Sequence, residues 1–462
     1  MTAPEAGSRW LKGGPAIHNP LARRILLVSA AFPPRTEVGS ARWEGFAPHL
    51  HEQGYALDVA LEDPSDLPSP DFGRLAALPD SVRAFAFPQH TVRWHRALLN
   101  GRALLAPDPS PTSIAFTSVN RTEVASGRWR TMRQWIGYLL EAAVAHERSH
   151  RNSEKAERAI TGLLAELPDV IVSSGPPHYA HWAAFQIAQR TGVPHVVDLR
   201  DPWGDGGAMK PLLIFDPDLR RRAPTVLRAA SAVIVNTNES AHALLREHSL
   251  DRSRVVTIPN GSDLSAVTPP LKDGPQPFRI THCGSLYLDR DPRPFLEAVS
   301  RVQKSQKLAP DELRVTFMGP PVRVEGKSLD EWGEFYGLRA FLDILPFGSR
   351  KDARALLAQS AMAVAFQGAS PTQIPAKIFE YVSYPLFLLA LVGTNSATAA
   401  ILQNSTAIVL NIDDVDGIER AITSALHQFR ERGLPTAVGA DGRFSRAHQA
   451  RALLDLFDRV IK

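Results

Sequence analysis

The feature that most constrains this fold is a regular alternation of short apolar runs with segments of helical spacing. The run ILLVSAA lies within residues 23–34 and is followed by two prolines, as is typical of a buried strand. Residues 40–54 have the pattern of a helix that ends at Gly54, and residues 55–63 have the pattern of a second strand. Strand, helix and strand in this order predict a parallel, Rossmann-like sheet.

The alternation continues through the chain and is interrupted by one clear linker, TPPLKDGPQP, at residues 268–277. Because 462 residues are too many for one compact core, two α/β domains are expected, over residues 21–267 and 278–442. Residues 443–462 have the spacing of an amphipathic helix. Residues 1–20 have no apolar core, so a flexible tail is expected there. Further strands are expected at 169–174, 194–201, 232–236, 255–259 and 278–285, and helices at 153–168 and 181–192.

Residues 77–150 break the alternation and predict a helical insertion in the first domain. Two segments, 92–105 and 128–140, mix Trp and Arg with aliphatic residues at roughly helical spacing. In one interpretation Trp and Leu pack inward while Arg faces water. In the other, the segments form a basic amphipathic surface for a membrane or a lipid-linked acceptor. The sequence leaves both open.

Composition excludes several classes of function. The 52 basic and 48 acidic residues nearly balance, so the net charge of +4 gives little reason to expect nucleic acid as a partner. Cys283 is the only cysteine, which excludes a disulfide framework and a cysteine metal cluster. Since no apolar run reaches the roughly 20 residues of a membrane span, a cytoplasmic protein is expected, either free or peripheral at the inner face of the membrane.

In doubly wound sheets, ligands bind beyond the carboxyl ends of the strands, so the loops after the strands hold the candidate residues. In the first domain these are Gly39 in FPPRTEVGSAR, His178 in SSGPPHYAHW, and Arg200 with Asp201 in DLRDPW. Each has an ordinary structural alternative: a turn glycine, a core histidine and a solvated salt bridge. His178 and His181 are three residues apart, but no third ligand is evident, so no metal site is predicted.

In the second domain, Gly284 and Gly319 follow two strands and allow close approach of the backbone to a ligand. Arg290 is suited to bidentate binding of a phosphate. Asp289 and Asp291 flank it as a D-x-D pair, for which helix capping is preferred over cation binding.

The stretch IPAKIFEY, residues 374–381, has the pattern of a helix start, with Pro375 at the first helical position and Ser370 or Thr372 as a cap. The helix N-terminus and Lys377 suit the anionic oxygens of a diphosphate. A carboxylate repels phosphate but accepts hydrogen bonds from vicinal hydroxyls, so Glu380, expected to be buried between two aromatic residues, suits a ribose.

In their order along the chain and in their residues, these motifs resemble those of GT-B glycosyltransferases, specifically the large retaining family numbered four. The resemblance covers about 23–63 and 153–462, and it includes FPP…G, SSGPP, DLRDPW, VNT, TIPNGSD, CGS…R and IPAKIFEY. It is closest to the branch that builds bacterial surface polysaccharides and related glycosides.

The resemblance implies two Rossmann-like domains that face each other across a cleft, with the C-terminal helix crossing back to the N-terminal domain. It implies metal-independent transfer of a sugar, with retention, from a nucleotide-diphosphate sugar, with UDP the expected nucleotide. The acceptor would be a hydroxyl of a saccharide, a lipid-linked compound or a small molecule. No cofactor is expected beyond the donor substrate.

Residue by residue, the resemblance places Gly39, Gly284, Arg290 and Lys377 on the donor diphosphate, together with the amides near Pro375 and Ala376. Gly319 forms a wall of the same site and Glu380 binds the ribose. Arg200 and Asp201 lie near the transferred sugar or the acceptor.

The sequence departs from the family at two places: Thr372 stands where a first carboxylate is common, and Ser285 where an arginine often follows the glycine. These departures keep open a non-catalytic GT-B subunit. A second alternative is an NAD(P)-dependent oxidoreductase, in which Glu62 or Asp63 would bind a ribose, although no GxGxxG is present.

Overall fold

A computed structural model describes residues 7–15, 22–67, 69–90, 132–164, 166–203, 221–262, 276–286, 290–368 and 370–461, without the side chains of Val38 and residues 132–146. The Trp/Arg segment 92–105, most of the predicted linker and Asp289 lie outside these residues, and residues 132–140 are described only as helix. The chain divides into two compact units. The first contains Met1–Asn236, Ser240–Pro259 and Ala450–Lys462, and the second contains Thr237–Glu239 and Asn260–Gln449.

The first unit is built on an eight-stranded sheet in the order β1-β4-β3-β2-β5-β6-β7-β8. Only β1 is antiparallel to its neighbour. The strands are β1 Arg9–Lys12, β2 Arg23–Val28, β3 Tyr55–Glu62, β4 Val82–Phe87, β5 Val170–Gly175, β6 His195–Leu199, β7 Ala232–Val235 and β8 Val255–Thr257. The helices are α1 Ala41–Glu52, α2 Phe72–Ala76, α3 Met132–Leu163, α4 Tyr179–Thr191, α5 Ala223–Ala229 and α6 Asn238–His248.

The expectation of a flexible tail over residues 1–20 is wrong for β1. Trp10 of this strand lies 5.3 Å from the ring of Phe85, centroid to centroid, and the guanidinium of Arg83 lies over the indole. A four-residue strand with one aromatic anchor has too little apolar periodicity to be recognised in the sequence.

The second unit has a six-stranded parallel sheet in the order β13-β10-β9-β14-β15-β16 and a short hairpin, β11–β12. The strands are β9 Phe278–Cys283, β10 Leu313–Met318, β11 Arg323–Val324, β12 Lys327–Ser328, β13 Leu342–Leu345, β14 Met362–Phe366, β15 Phe387–Leu391 and β16 Ile408–Leu410. The helices are α7 Arg293–Ser305, α8 Leu329–Phe335, α9 Arg350–Leu357, α10 Ala376–Tyr381, α11 Ala397–Leu402 and α12 Val415–Arg432.

The last helix, α13 Arg446–Val460, returns to the first unit. Its residues Ala450, Leu453, Leu456 and Phe457 are buried in the same hydrophobic cluster as β2, β3 and α1. The ring of Phe457 lies 6.0 Å from that of Tyr55. The apolar face of the predicted amphipathic helix therefore completes the core of the first unit.

Both sheets have parallel central strands with nearly continuous apolar runs, because helices cover both faces. The predicted α/β class with two Rossmann-like sheets is confirmed. Among the parallel strands of each sheet the chain order reverses once, between β2 and β5 in the first sheet and between β9 and β14 in the second. Such switch points open a crevice at the carboxyl ends of the strands, where ligands of this fold class bind.

Within the part of the chain that the structure describes, no helix has both the length and the apolar character that crossing a bilayer requires.

Candidate functional site

At the switch point of the second unit, two glycines bring the ends of neighbouring strands into close contact. Gly284 follows β9 with a φ of 128°, a conformation that favours glycine, and its N–H donates to Met318 O at 2.8 Å. Gly319 follows β10, and a Cβ at this position would collide with the carbonyl oxygen of Gly284. Both glycines are therefore required by the packing of the backbone itself.

Lys377 extends from the first turn of α10 to the backbone of Gly284. A Cβ built on Gly284 would lie 2.7 Å from Lys377 Nζ, so only glycine leaves room for the ammonium group. Burial, and to a smaller extent the positive charge of Arg290, lower the pKa of Lys377 to about 7. The structure thus brings together three of the predicted residues: Gly284, Arg290 and Lys377.

His282, on β9, was not among the predicted residues. Its Nδ1 lies 2.9 Å from Val364 O and its Nε2 lies 3.2 Å from Lys377 Nζ. Burial is the main reason that its pKa is well below the usual value, with the charge of Lys377 as the next cause. In the sequence, a histidine within an apolar strand gives no sign of this pairing.

Asp291, the described member of the D-x-D pair, is engaged in local structure. Its carboxylate accepts a hydrogen bond from Arg293 N at 2.9 Å and forms an ion pair with the Arg293 side chain at 2.6 Å. The N-cap of α7 is Pro292, which has no side-chain cap, so Asp291 is not the N-cap residue, although its carboxylate accepts the first N–H of the helix. Among the described residues there is no group of three or more His, Cys, Asp or Glu side chains placed to hold a metal ion.

The helix that carries Glu380 differs from its prediction in two respects. Pro375 is the N-cap of α10 rather than its first helical residue, and no side chain caps the helix, so neither Ser370 nor Thr372 has the predicted role. Glu380 is not buried: its side chain is 24% exposed, and Oε1 lies 3.3 Å from Nε of Arg354.

Local helix geometry explains the orientation of Glu380. Successive residues of a helix are about 100° apart, so the two flanking aromatic rings can enter the core while residue 380 projects outward. Phe379 and Tyr381 are both buried. The hydroxyl of Tyr381 lies 2.8 Å from Cys283 N and 3.2 Å from Cys283 O, which joins α10 to the end of β9. Burial raises the pKa of the Cys283 thiol to about 12.

In the first unit, Gly39 and Arg200 are in direct contact. A Cβ at Gly39 would occupy the position of the Arg200 guanidinium, which also donates a hydrogen bond to Pro176 O. Desolvation lowers the pKa of Arg200, against the opposing effects of Asp198 and Asp201. Desolvation also raises the pKa of Asp201, and Arg200 opposes this shift. The loops after β2, β5 and β6 therefore meet around one guanidinium group.

His178 lies in an aromatic stack beside these loops. Its ring is 5.2 Å from that of Trp203, at an interplanar angle of 12°, and 5.5 Å from that of His181. Burial lowers the pKa of His178 to about 3, and Arg200 adds to this shift. The imidazole is therefore neutral near pH 7, which suits hydrogen bonding rather than service as a cationic acid.

The remaining histidines of this region are parts of the core. Ser173 Oγ lies 2.8 Å from His195 Nε2 and 2.8 Å from His181 Nδ1. Burial lowers the pKa of His195 to about 3 and that of His181 well below its usual value. His181 and His178 stack on each other, so their spacing reflects packing.

A fully buried polar group of the first unit, Asp198, is the centre of a network that the sequence did not reveal. Its carboxylate is fully buried and accepts hydrogen bonds from Arg42 Nε at 3.1 and 3.2 Å, from Trp43 Nε1 at 2.8 Å and from Ser174 Oγ at 2.8 Å. Arg42 also donates to Ile258 O at 3.0 Å. The network joins α1, just after Gly39, to the ends of β5, β6 and β8.

The acids at the end of β3 are occupied by contacts within the first unit. Glu62 is buried and accepts hydrogen bonds from Arg35 at 2.8 Å, Gln89 at 2.9 Å and Asn152 at 3.0 Å. Asp63 caps a short 3₁₀ helix and pairs with Arg9. Neither carboxylate is available to bind the ribose of a dinucleotide, which removes the main physical support for the oxidoreductase alternative.

Comparison with protein families matches residues 39–261 to the family described as Glycosyl transferase 4-like domain. Comparison with curated proteins finds no match.

Solved structures match nearly the whole chain. Sucrose-phosphate synthase from Thermosynechococcus elongatus is 13% identical, with a TM-score of 0.56 over 95% of this chain and 99% of its own. HepE from Anabaena, in complex with UDP and glucose, is 13% identical, with a TM-score of 0.56, and the match covers 95% of this chain and 100% of HepE. A UDP-forming trehalose-phosphate synthase from Burkholderia xenovorans is 14% identical, with a TM-score of 0.58, and the match covers 96% of this chain and 100% of the synthase. These matches establish the GT-B fold of glycosyltransferases.

Proposed function

We propose that this protein transfers a sugar from a nucleotide-diphosphate sugar, with UDP the preferred nucleotide, to an acceptor hydroxyl, with retention at the anomeric carbon and without a metal ion. The observation that carries the proposal is the arrangement at the switch point of the second unit. There a lysine ammonium group lies against a glycine with positive φ, and a partly exposed carboxylate follows on the same short helix.

The diphosphate lies against the backbone around Gly284, whose own N–H is donated to Met318 O, and it is bound by the side chains of Lys377 and Arg290. An ammonium group has three donors and a guanidinium five, so together they can balance the charge of a diphosphate. Because the pKa of Lys377 is about 7, an approaching anion favours its protonated form. Negative charge grows on the diphosphate as the bond to the sugar breaks, so these donors stabilise the transition state more than the ground state.

Glu380 binds the ribose. An ionised carboxylate only accepts hydrogen bonds, and its two oxygens match the spacing of two vicinal hydroxyls. The single contact between Glu380 and Arg354, at 3.3 Å and partly exposed, is weak, so the carboxylate can give it up when a ribose binds.

The acceptor and the transferred sugar are assigned to the first unit, to the loops that hold Gly39, His178, Arg200 and Asp201. The neutral His178 imidazole offers one donor or acceptor to a sugar hydroxyl, and Arg200 offers a cation. The acceptor is a saccharide, a lipid-linked compound or a small molecule. By resemblance, the pathway is the synthesis of a bacterial surface polysaccharide or a related glycoside, in the cytoplasm or at the inner face of the membrane.

The comparisons support UDP as the nucleotide, since the HepE structure contains UDP and the Burkholderia enzyme is described as UDP-forming. They also favour a catalytic protein over a non-catalytic subunit, because the matching structures include synthases.

The test is release of nucleoside diphosphate by the purified protein from a panel of UDP-, GDP- and dTDP-sugars, with the anomeric configuration of any product read by NMR. We expect release from a UDP-sugar and its loss in Lys377→Met. The matched control is Lys327→Met, which removes a lysine that lies over the exposed Phe335 ring of the same unit. Failure of the whole panel, with activity restored by a partner protein, would favour the subunit alternative. Micromolar NADH binding would instead favour the oxidoreductase.

A further inference from the structure

The contact between His282 and Lys377 is not explained by the stability of the sheet alone. His282 is almost fully buried on a central strand, where an apolar residue is usual. Its ring makes an edge-to-face contact with Phe366, with centroids 5.0 Å apart, and lies 6.1 Å from Phe317. These aromatic neighbours fix the plane of the imidazole.

The hydrogen bonds of His282 fix its tautomer. Nδ1 faces the carbonyl oxygen of Val364 at 2.9 Å, and a carbonyl oxygen only accepts, so Nδ1 carries the proton. Burial keeps the ring neutral, which leaves a lone pair on Nε2. That lone pair faces Lys377 Nζ at 3.2 Å. The imidazole is thus fixed as a hydrogen-bond acceptor for the ammonium group.

We propose that His282 is a positioning residue: by accepting a hydrogen bond from Lys377 Nζ it holds the ammonium group against Gly284, ready for the oxygens of a nucleoside diphosphate. An ammonium group has three donors, so one bond to His282 leaves two for the ligand. The proposal rests on the proposed function of this site. It adds a residue that touches neither substrate nor product and acts through Lys377.

The arrangement also couples ligand binding to a proton. The groups that face Lys377 among the described residues are His282 and Cys283 from β9 and Arg290 from the loop before α7. Lys377 is partly neutral near pH 7, and a bound diphosphate raises its pKa. Binding then takes up a proton, and affinity falls as the pH rises above 7. Because His282 stabilises the charged form of Lys377, removing the imidazole makes the affinity for a diphosphate fall at a lower pH.

Two substitutions separate the two hydrogen bonds of His282. Asparagine places a donor where Nδ1 lies and keeps the bond to Val364, but no atom reaches Lys377. Glutamine places an acceptor where Nε2 lies and keeps the bond to Lys377. We expect His282→Asn to bind UDP about tenfold more weakly at pH 7.5, and His282→Gln to bind within about twofold of the wild type, from the net worth of one hydrogen bond. His427→Asn, at an exposed histidine bonded to Gln306 in the same unit, is the control.

The assay is calorimetric titration with UDP between pH 7 and 9, in two buffers of different ionisation enthalpy, so that proton uptake is counted. This range lies above the second phosphate pKa of about 6, so the ligand does not titrate. We expect net proton uptake that increases above pH 7, and a shift of the affinity profile to lower pH in His282→Asn alone.

Wild-type affinity and pH profile in His282→Asn would overturn the positioning role, as would equal losses in both His282 variants. If the variants do not fold, imidazole nitrogen NMR of the wild type decides, because a proton on Nε2 instead of Nδ1 contradicts the proposal. Wild-type protein that binds no nucleoside diphosphate would refute the proposed function itself, a result distinct from the others.

Discussion

Replacing Glu380 with alanine distinguishes a carboxylate that serves a ligand from one that serves the fold. In the described structure, the only ion pair of Glu380 is with Arg354, at 3.3 Å, and the two side chains are 24% and 38% exposed. Pairs of this kind contribute about 0–1 kcal/mol to stability. The free energy of unfolding of Glu380→Ala should therefore fall by less than about 1 kcal/mol.

The expected effect on ligand binding is much larger. If both carboxylate oxygens accept hydrogen bonds from ribose hydroxyls, each bond to the charged group is worth roughly 1.5–3 kcal/mol. The sum of about 3–6 kcal/mol corresponds to a loss of roughly 10²- to 10⁴-fold in affinity for UDP. Turnover of a UDP-sugar by Glu380→Ala should be abolished while the protein stays folded.

The assay compares UDP with 2′,3′-dideoxy-UDP on the wild type, Glu380→Ala and Arg354→Ala. Arg354→Ala removes the same ion pair from its other side, so it should show the same small loss of stability but keep most of its affinity for UDP. The dideoxy ligand should bind the wild type and Glu380→Ala equally weakly. The assignment would be refuted if Glu380→Ala bound UDP with wild-type affinity. It would also be refuted if the substitution weakened binding of the dideoxy ligand as much as binding of UDP.

Three further predictions concern the first unit and the chemistry. Asp198→Asn removes the buried carboxylate charge that pairs with the Arg42 guanidinium, so chemical denaturation should show a loss of about 3–5 kcal/mol, against less than about 1 kcal/mol for Asp458→Asn in an exposed pair with Arg23. The pKa of His195 is about 3 in the folded state and near 6.5 when unfolded, so its contribution to stability is complete above pH 6.5 and is lost on acidification, by about 1.4 kcal/mol per pH unit. His195→Asn should reduce this slope in unfolding measured from pH 7 to 4. EDTA should leave sugar transfer unchanged, whereas a strict requirement for Mn²⁺ would contradict a site built from Lys377 and Arg290.

The parallel strands were predictable from sequence because both of their faces are buried, which produces continuous apolar runs such as those of β2 and β5. Candidate residues at the switch points were predictable for a related reason. The carboxyl ends of parallel strands lie on one edge, so Gly284 and Gly319 had to be neighbours once β9 and β10 were recognised.

What the sequence did not reveal depends on contacts between distant segments. Asp198 and Arg42 are 156 residues apart, and His282 and Lys377 are 95 apart, so no local pattern marks either pair. The outward orientation of Glu380 cannot be read from its two aromatic neighbours, because it depends on the rotation of α10 relative to the core. The role of Pro375 as an N-cap depends on a loop geometry that composition does not determine.

The central claim, that the second unit binds a nucleoside diphosphate through Gly284 and Lys377 with Glu380 on the ribose, is tested most directly by a crystal structure of the protein soaked with UDP. We predict the two phosphates within hydrogen-bonding distance of Lys377 Nζ and the amide groups near Gly284, and both ribose hydroxyls on the Glu380 carboxylate. UDP bound elsewhere, or bound with its ribose away from Glu380, would contradict the account.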